Sequence, residues 1–424
     1  MSQPNGIAFF GGQGSKSLFS ETDTLRRLDA TASSHAVDLL LSSCHSAILG
    51  ELLHFKNSGK APAWTIDMEI CFQTPTDLLS VPNHLRNNPI AEGIVLCIQQ
   101  LVDFLMINEM RPHDTTWTGI AGFCSGSIPA VAAACSRSVP EYICQSKEAT
   151  RLAFWVGLRA EELAAELGGE DWQQQPWSLA ITGVNKDKVE FLVKKFNAEV
   201  LKTETRMALK ISTVSAAESV AIVGKPHLLA EFRSHYLPEH ASSRSIQVYA
   251  LYHGGEQAFS ALHNVLRDIE TRRISLGPPF SDLKMPLWSS QDGTIALPGL
   301  GTPYYLLEYI LRGILVDTAH WTLTWSNILQ LASTYDGIKL SVTGVGPGAH
   351  QFLMGSYRSL DEEEKETLEI FPPFQRPPGQ CRDDGFAIIG MSLKFPLGLD
   401  KEQLWKSLEN GLNSVQEVSM EFDQ

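Results

Sequence analysis

Short apolar runs alternate with longer mixed stretches over most of the chain. Ile7–Phe10 is apolar throughout and runs into Gly11-Gly12-Gln13-Gly14. A helical pattern covers 90–110, and Trp117–Phe123 reads as a second short strand. A helix built of small residues then spans Ser125–Ser136. Uninterrupted apolar strands separated by helices predict an α/β fold with a parallel sheet, because such strands are covered on both faces.

The pattern changes between 177 and 250. Ser178–Val184 reads as a strand, Lys186–Asn197 as a helix, and Ala208–Thr213 and Ser219–Val223 as strands. Pro226–Tyr236 then reads as a helix and Ser245–Ala250 as a strand. That β-α-β-β-α-β order predicts a small ferredoxin-like subdomain inserted in the larger one, which runs from 1 to 355. Residues 356–384 carry an acidic run and then Pro372, Pro373, Pro377 and Pro378, which predicts a linker. The remainder, 385–424, opens on the strand-like FAIIGM. It continues through a loop with Pro396 and Gly398 to a helix at Lys401–Asn410. So short a piece buries too little surface to fold alone, so it is expected to begin a further domain.

Composition narrows the function classes. Of 424 residues, 34 are Lys or Arg and 48 are Asp or Glu, a net charge of −14. That opposes non-specific binding to nucleic acid or to an anionic membrane. The longest run of small apolar residues, Ile128–Cys135, is far too short to span a bilayer, and the N-terminus has no secretory-signal pattern. The seven cysteines are scattered, with no CxxC pair, so reduced cytoplasmic thiols are expected, and no metal cluster.

One cysteine stands apart. Gly119-Ile120-Ala121-Gly122-Phe123-Cys124-Ser125-Gly126 sets Cys124 between a strand and a helix, flanked by small residues. This is the pattern of a nucleophile elbow, with Cys in place of Ser. The segment alone fits a buried cysteine in a Gly-rich turn equally well. An attacking thiol needs donors for the oxyanion it creates. The N–H of Ser125 is one candidate. The N–H of Gln13, in the Gly-rich turn, is another, although that turn also reads as a plain strand-end loop. Among twelve histidines, His253 is best placed as a base, at the exit of the inserted subdomain; His263, His320 and His350 are weaker candidates. Asp317 either orients the base or caps a helix.

Together these residues resemble the acyl-carrier-protein transacylases. Phe10-Gly11-Gly12-Gln13-Gly14-Ser15 resembles that family's FPGQGSQ turn, and Gly122-Phe123-Cys124-Ser125-Gly126 its GHSxG elbow. Gly344-Val345-Gly346-Pro347-Gly348 resembles a late GPG turn, and Asp317 with Trp321 the segment before it. The departures are informative. Malonyl transferases of the family hold the substrate carboxylate with an Arg; in Arg151-Leu152-Ala153-Phe154-Trp155-Val156-Gly157 that position is Val156. A GxCxG elbow without the Arg resembles the starter-unit domain of fungal non-reducing polyketide synthases. The tail, with Phe386–Met391, Phe395-Pro396, Leu404-Trp405 and Asn410-Gly411, resembles the opening of a β-ketoacyl synthase.

The resemblance implies an acyltransferase fold, with an α/β-hydrolase-like large subdomain and a ferredoxin-like small one. It implies a catalytic Cys124, His253 and Asp317, oxyanion donors Gln13 and Ser125, and an acyl pocket lined by Trp155 and Val156. It implies no permanent cofactor. The substrate is an acyl-coenzyme A or a phosphopantetheine-linked acyl thioester. The partner is the acyl carrier protein of its own synthase, with a fatty acid or highly reducing polyketide synthase as an alternative donor. The starter stays open between acetyl, a short fatty acyl and a reduced polyketide. Lys186, Lys188, Lys194 and Lys195, or Arg272 and Arg273, are candidate docking cations for an acidic carrier. A cysteine thioesterase and a non-catalytic docking domain are the competing readings.

Overall fold

The structure, a computed structural model, describes residues 6–14, 16–57, 59, 64–110, 117–168, 175–200, 208–277, 283–296, 303–335, 338–372 and 374. The chain divides into two units, Met1–Gln375 and Arg376–Gln424. The second unit, with the expected start of a further domain at 385–424, lies outside the described residues.

The elements are β1 (Gly6–Phe10), α1 (Glu21–Ser33), α2 (His35–Asn57), α3 (Trp64–Cys71), α4 (Pro89–Met110), β2 (Trp117–Gly122), α5 (Ser127–Ala134) and α6 (Val139–Gly168). Then come β3 (Ser178–Thr182), α7 (Lys186–Val200), β4 (Lys210–Ala216), β5 (Ser219–Val223), α8 (Pro226–His235), β6 (Ser242–Ile246) and α9 (Phe259–Arg272). The chain continues with β7 (Leu287–Trp288), β8 (Ile295–Ala296), α10 (Pro303–Leu315), β9 (Ala319–His320), α11 (Trp321–Ala332), β10 (Leu340–Val345), α12 (Ala349–Arg358), α13 (Glu362–Thr367) and β11 (Leu368–Phe371).

The large sheet has the order β11-β10-β1-β2-β7-β8, parallel except for the β7–β8 hairpin. Its central strands β1 and β10 are buried along their whole length, which is why β1 reads as an apolar run. Their registers align the carboxyl ends: Phe10 is opposite both Val345 and Gly122. Three turns therefore meet at one edge of the sheet, after β1, β2 and β10. In open parallel sheets this is where ligands bind.

Helices α4, α5 and α6 pack together beneath that edge. By length and composition α2 and α4 could each cross a membrane, which no uninterrupted apolar run in the sequence suggested. α4 is buried on nearly every face, as a core helix is. Its one deep charge, Asp103, takes a bidentate pair from Arg27 at 2.8 and 2.7 Å.

The small sheet has the order β6-β3-β5-β4-β9. Its first four strands have the antiparallel pairing and 4-1-3-2 order of a ferredoxin-like unit, with α7 and α8 packed on one face. A fifth strand comes from outside 177–250: β9 pairs in parallel with β4, Thr213 opposite Ala319. The last strand of the unit starts earlier than the apolar run Ser245–Ala250 suggested. β6 is an edge strand of sequence SSRSI, half solvated, so its residues carry little apolar signal.

The predicted linker at 356–384 does not begin at 356. α12 continues to Arg358, and α13 starts from a capping box in which Asp361 Oδ1 accepts from the Glu364 N–H at 2.8 Å. β11 then pairs in parallel with β10, Leu340 opposite Leu368, and Leu368 is fully buried. The acidic run is the solvent face of a helix that delivers an edge strand. Removing residues 361–375 strips that strand from β10. Loss of a fully buried Leu alone costs about 2–5 kcal/mol. A chain ending at residue 360 is expected to melt at least about 5 °C below one ending at 375 by calorimetry; equal melting would contradict the role given to β11.

Candidate active site

The turn after β2 carries Cys124 at φ +52°, the left-handed region that a residue with a Cβ rarely enters. The strain is of order 1–3 kcal/mol and has to be imposed by the surroundings. The imposing contacts are close. A Cβ on Gly122 would lie 2.5 Å from the Ser127 Cα, and one on Gly126 would run into the carbonyls of Phe10 and Gly11. Only glycines let α5 return directly beneath the strand, and that return pushes Cys124 outward as an elbow. Cys124 rests on an aromatic cluster: Phe123 packs against Trp321 and Phe352, and Phe9 against both.

His253 faces the thiol, with its Nε2 3.0 Å from the Cys124 Sγ. It too has a positive φ, +55°. The clamp that holds it is the end of α10, where a helix leaves carbonyls without partners. Ile314, Leu315 and Val316 accept in succession from the N–H groups of His253, Gly254 and Gly255, at 3.1, 2.8 and 3.0 Å. The next carbonyl, of Asp317, accepts from His253 Nδ1 at 2.8 Å. This fixes the tautomer: Nδ1 carries the proton and Nε2 presents its lone pair to sulfur.

Asp317 therefore holds the His253 ring through its backbone. Its carboxylate points away, to Arg312 Nε and an Arg312 amino group at 3.2 Å each. His263 and His320 lie away from the cleft: His263 stacks on Phe259, and His320 opens α11. His350 follows the Pro347-Gly348 turn but is not among the cleft-lining residues.

Burial dominates the electrostatics of the pair. It pushes the Cys124 thiol up to about 12, opposed by the Ser125 N–H. It pushes His253 down to about 4, opposed by the Asp317 carbonyl. The resting pair is therefore an uncharged thiol and imidazole.

The pair opens on a cleft of about 620 Å³ between the edge of the large sheet and the open face of the small one. One wall mixes the hydroxyls of Ser178, Thr182, Ser212 and Ser215 with the apolar side chains of Ala180 and Val220. The opposite wall holds Pro347, Gln351 and Phe352, with the exposed Arg244 at the rim. Gln13 and Ser125 come together at a second, much smaller cavity of about 10 Å³, which Val156 also lines. Tyr252 lines both spaces, and the Gln13 side chain hydrogen-bonds it.

Trp155 does not reach either space. Its Nε1 donates to Glu51 Oε2 at 3.0 Å, and its ring packs on Phe55 and Phe154. Neighbouring residues on a helix point about 100° apart, so a Val156 aimed at α4 turns Trp155 toward α2. The expected docking cations are partly engaged: Arg272 is held by Glu51 at 2.8 Å and Lys194 by Glu190 at 2.7 Å. Lys188 and Arg273 are exposed. Among the described residues no group of three or more metal-ligating side chains is assembled.

The model of the family described as "Starter unit:ACP transacylase in aflatoxin biosynthesis" matches residues 8–253. The chain belongs to the starter unit:ACP transacylase family. It is an acyltransferase, as the motifs implied. It is similar to orsellinic acid synthase ArmB of Armillaria ostoyae, 29% identical over 441 residues, which cover 97% of this chain and 19% of that one. The chain thus spans about a fifth of the length of the curated relatives it matches. Among solved structures, FabD from Acinetobacter baumannii is similar with a TM-score of 0.60 at 16% identity, covering 88% of this chain and 94% of that one. A type II polyketide-synthase acyl-carrier protein in complex with its malonyl-transacylase includes a similar chain, with a TM-score of 0.58 at 15% identity, covering 87% and 95%. These likenesses give the acyltransferase fold.

Replacing Asp317 with Ala keeps the carbonyl that His253 uses; it removes a half-exposed ion pair with little energetic weight and a through-space charge that favours the imidazolium. Acyl transfer is expected to fall less than about 10-fold for Asp317→Ala and roughly 10²–10⁴-fold for His253→Ala. Equal losses would restore the carboxylate to the catalytic set. The pH dependence is set by the base. A histidine held below its ordinary 6.5 stays neutral as pH falls, so acylation of Cys124 is expected to persist at pH 5–6 and to be lost only as pH nears about 4. An inflection at 6.5 or above in the pre-steady-state rate would contradict this.

Proposed function

We propose that the chain loads a neutral starter acyl group, through an acyl-Cys124 intermediate, onto the carrier protein of a polyketide synthase. The observation that supports it most directly is the 3.0 Å contact between the Cys124 Sγ and an Nε2 that carries a lone pair. Sulfur attacks the thioester carbonyl as its proton moves to Nε2. The carbonyl π electrons go to oxygen, held by the N–H groups of Ser125 and Gln13. Collapse of the tetrahedral adduct breaks the bond to the donor thiol, which takes the proton back from Nε2. The acyl-Cys is itself a thioester, so the second transfer, to a pantetheine thiol, runs the same steps in reverse at little cost. The long cleft with its row of hydroxyls suits a pantetheine arm, and Arg244 at its mouth suits an acidic carrier. The donor is a coenzyme A or carrier-protein thioester, and no resident cofactor is needed.

Neutrality of the acyl group follows from what surrounds Val156. No cation lines the small cavity. Both arginines of the neighbouring turns are turned away, Arg151 to Glu51 and Glu148, Arg159 to Asp268. Nearby Glu92 is buried and held up at about 9, so it is uncharged at neutral pH and offers no support to an anion. A malonyl carboxylate there would be desolvated and unpaired.

Intact-mass analysis after exposure to acyl thioesters tests the reading. One acyl increment is expected on Cys124, none on the Cys124→Ala chain, and transfer of that increment to an added holo carrier protein. Malonyl thioester is expected to load roughly 10²-fold more slowly than a neutral thioester. Release of free acid in place of transfer would identify a thioesterase. No increment from any thioester would leave only a docking role.

A further inference from the structure

We propose that the seam between α4 and α6 limits the starter to a two-carbon acyl group, so that an acetyl thioester is the preferred substrate. The proposal rests on the transacylase reading above and specifies its substrate. An acyl carbonyl bonded to the Cys124 sulfur, with its oxygen toward the N–H groups of Gln13 and Ser125, has one remaining substituent to place. The donor thiol departs along the 620 Å³ cleft. We assign the remaining substituent to the small cavity, which Ser125, the neighbour of Cys124, lines together with Gln13 and Tyr252; the last two line the cleft as well.

That cavity holds about 10 Å³, room for one water-sized group. A methyl matches it and a propyl does not. Its walls are the fully packed side chains of Leu96, Ile128 and Val156. The helices are in close backbone contact along this seam: a Cβ on Gly157 would lie 2.8 Å from the Ile90 Cα. The little space present is owed partly to Gly93, where a Cβ would sit in ordinary contact, 3.7 Å from Gln13 Nε2. A methyl added there is compatible with the fold and takes up room that an acyl methyl would use.

The test is a chain-length series of acyl-pantetheine thioesters with two, four, six and eight carbons. They are offered to the full 424-residue chain, and the initial rate of mass gain on Cys124 is followed. Acetyl is expected to load at least about 10-fold faster than butyryl, with hexanoyl slower still, since one methylene too many in a packed pocket is worth roughly 10-fold or more. Val156→Ala and Leu96→Ala, each removing wall, should raise the hexanoyl-to-acetyl ratio at least about 10-fold. Gly93→Ala should slow acetyl loading while the melting temperature holds. Hexanoyl or octanoyl loading as fast as acetyl on the unaltered chain would overturn the proposal and leave the transacylase intact, with the acyl chain lying in the cleft. An unchanged ratio in both wall variants, folded by circular dichroism, would also overturn it. Loading by no member of the series would bring down the transacylase reading as well. If the wall variants do not fold, the profile of the unaltered chain decides alone.

Discussion

A sulfur and an imidazole nitrogen, 3.0 Å apart, face each other from two backbones that both sit in the left-handed region. Neither conformation would persist alone. Cys124 is pushed into it by glycines that let α5 return directly under the sheet. His253 is pulled into it by four successive carbonyls at the end of α10. The third non-glycine residue with positive φ among those described, Arg273, ends a helix, where such a conformation is ordinary. Strain is thus concentrated on the two groups that must meet. The parallel sheet, the short helix of small residues and the break between α10 and β9 are all arranged to supply it.

Burial then sets the chemistry. Removing the pair from water disfavours both charged forms, so the resting state is thiol and neutral imidazole and charge appears only during attack. No cation lines the small cavity either, where α6 presents Val156 and turns its arginines outward. That absence of charge around Val156 suits an uncharged group in the small cavity.

Much of this was legible in the sequence. The elbow was, once the segment was read together with the Gly-rich turn after β1 and the late GPG turn; alone it fitted a buried cysteine as well. His253 followed from topology, as the histidine at the exit of an inserted unit. Asp317 was singled out beside His253, but which of its atoms meets the ring was not legible, since the acceptor is a backbone carbonyl and carbonyls carry no residue signature. Trp155 misled through helical phase: one residue along a helix is a different face. β6 was placed late because half-solvated edge strands lack an apolar run, and 361–371 passed for linker because its four-residue strand follows an exposed acidic helix. Tyr252, Gln351 and Phe352 had no motif to flag them; their place at the cleft comes from the packing of turns far apart in the chain.

The central claim is that an uncharged imidazole, protonated on Nδ1, presents Nε2 to the Cys124 sulfur. Nitrogen-15 NMR of the histidine rings reads this directly, with His253 assigned by its loss in His253→Gln. One protonated and one lone-pair nitrogen are expected between pH 5.5 and 8, with the lone-pair signal shifting when Cys124 is changed to Ala. Two protonated nitrogens across that range, or the proton on Nε2, would contradict it.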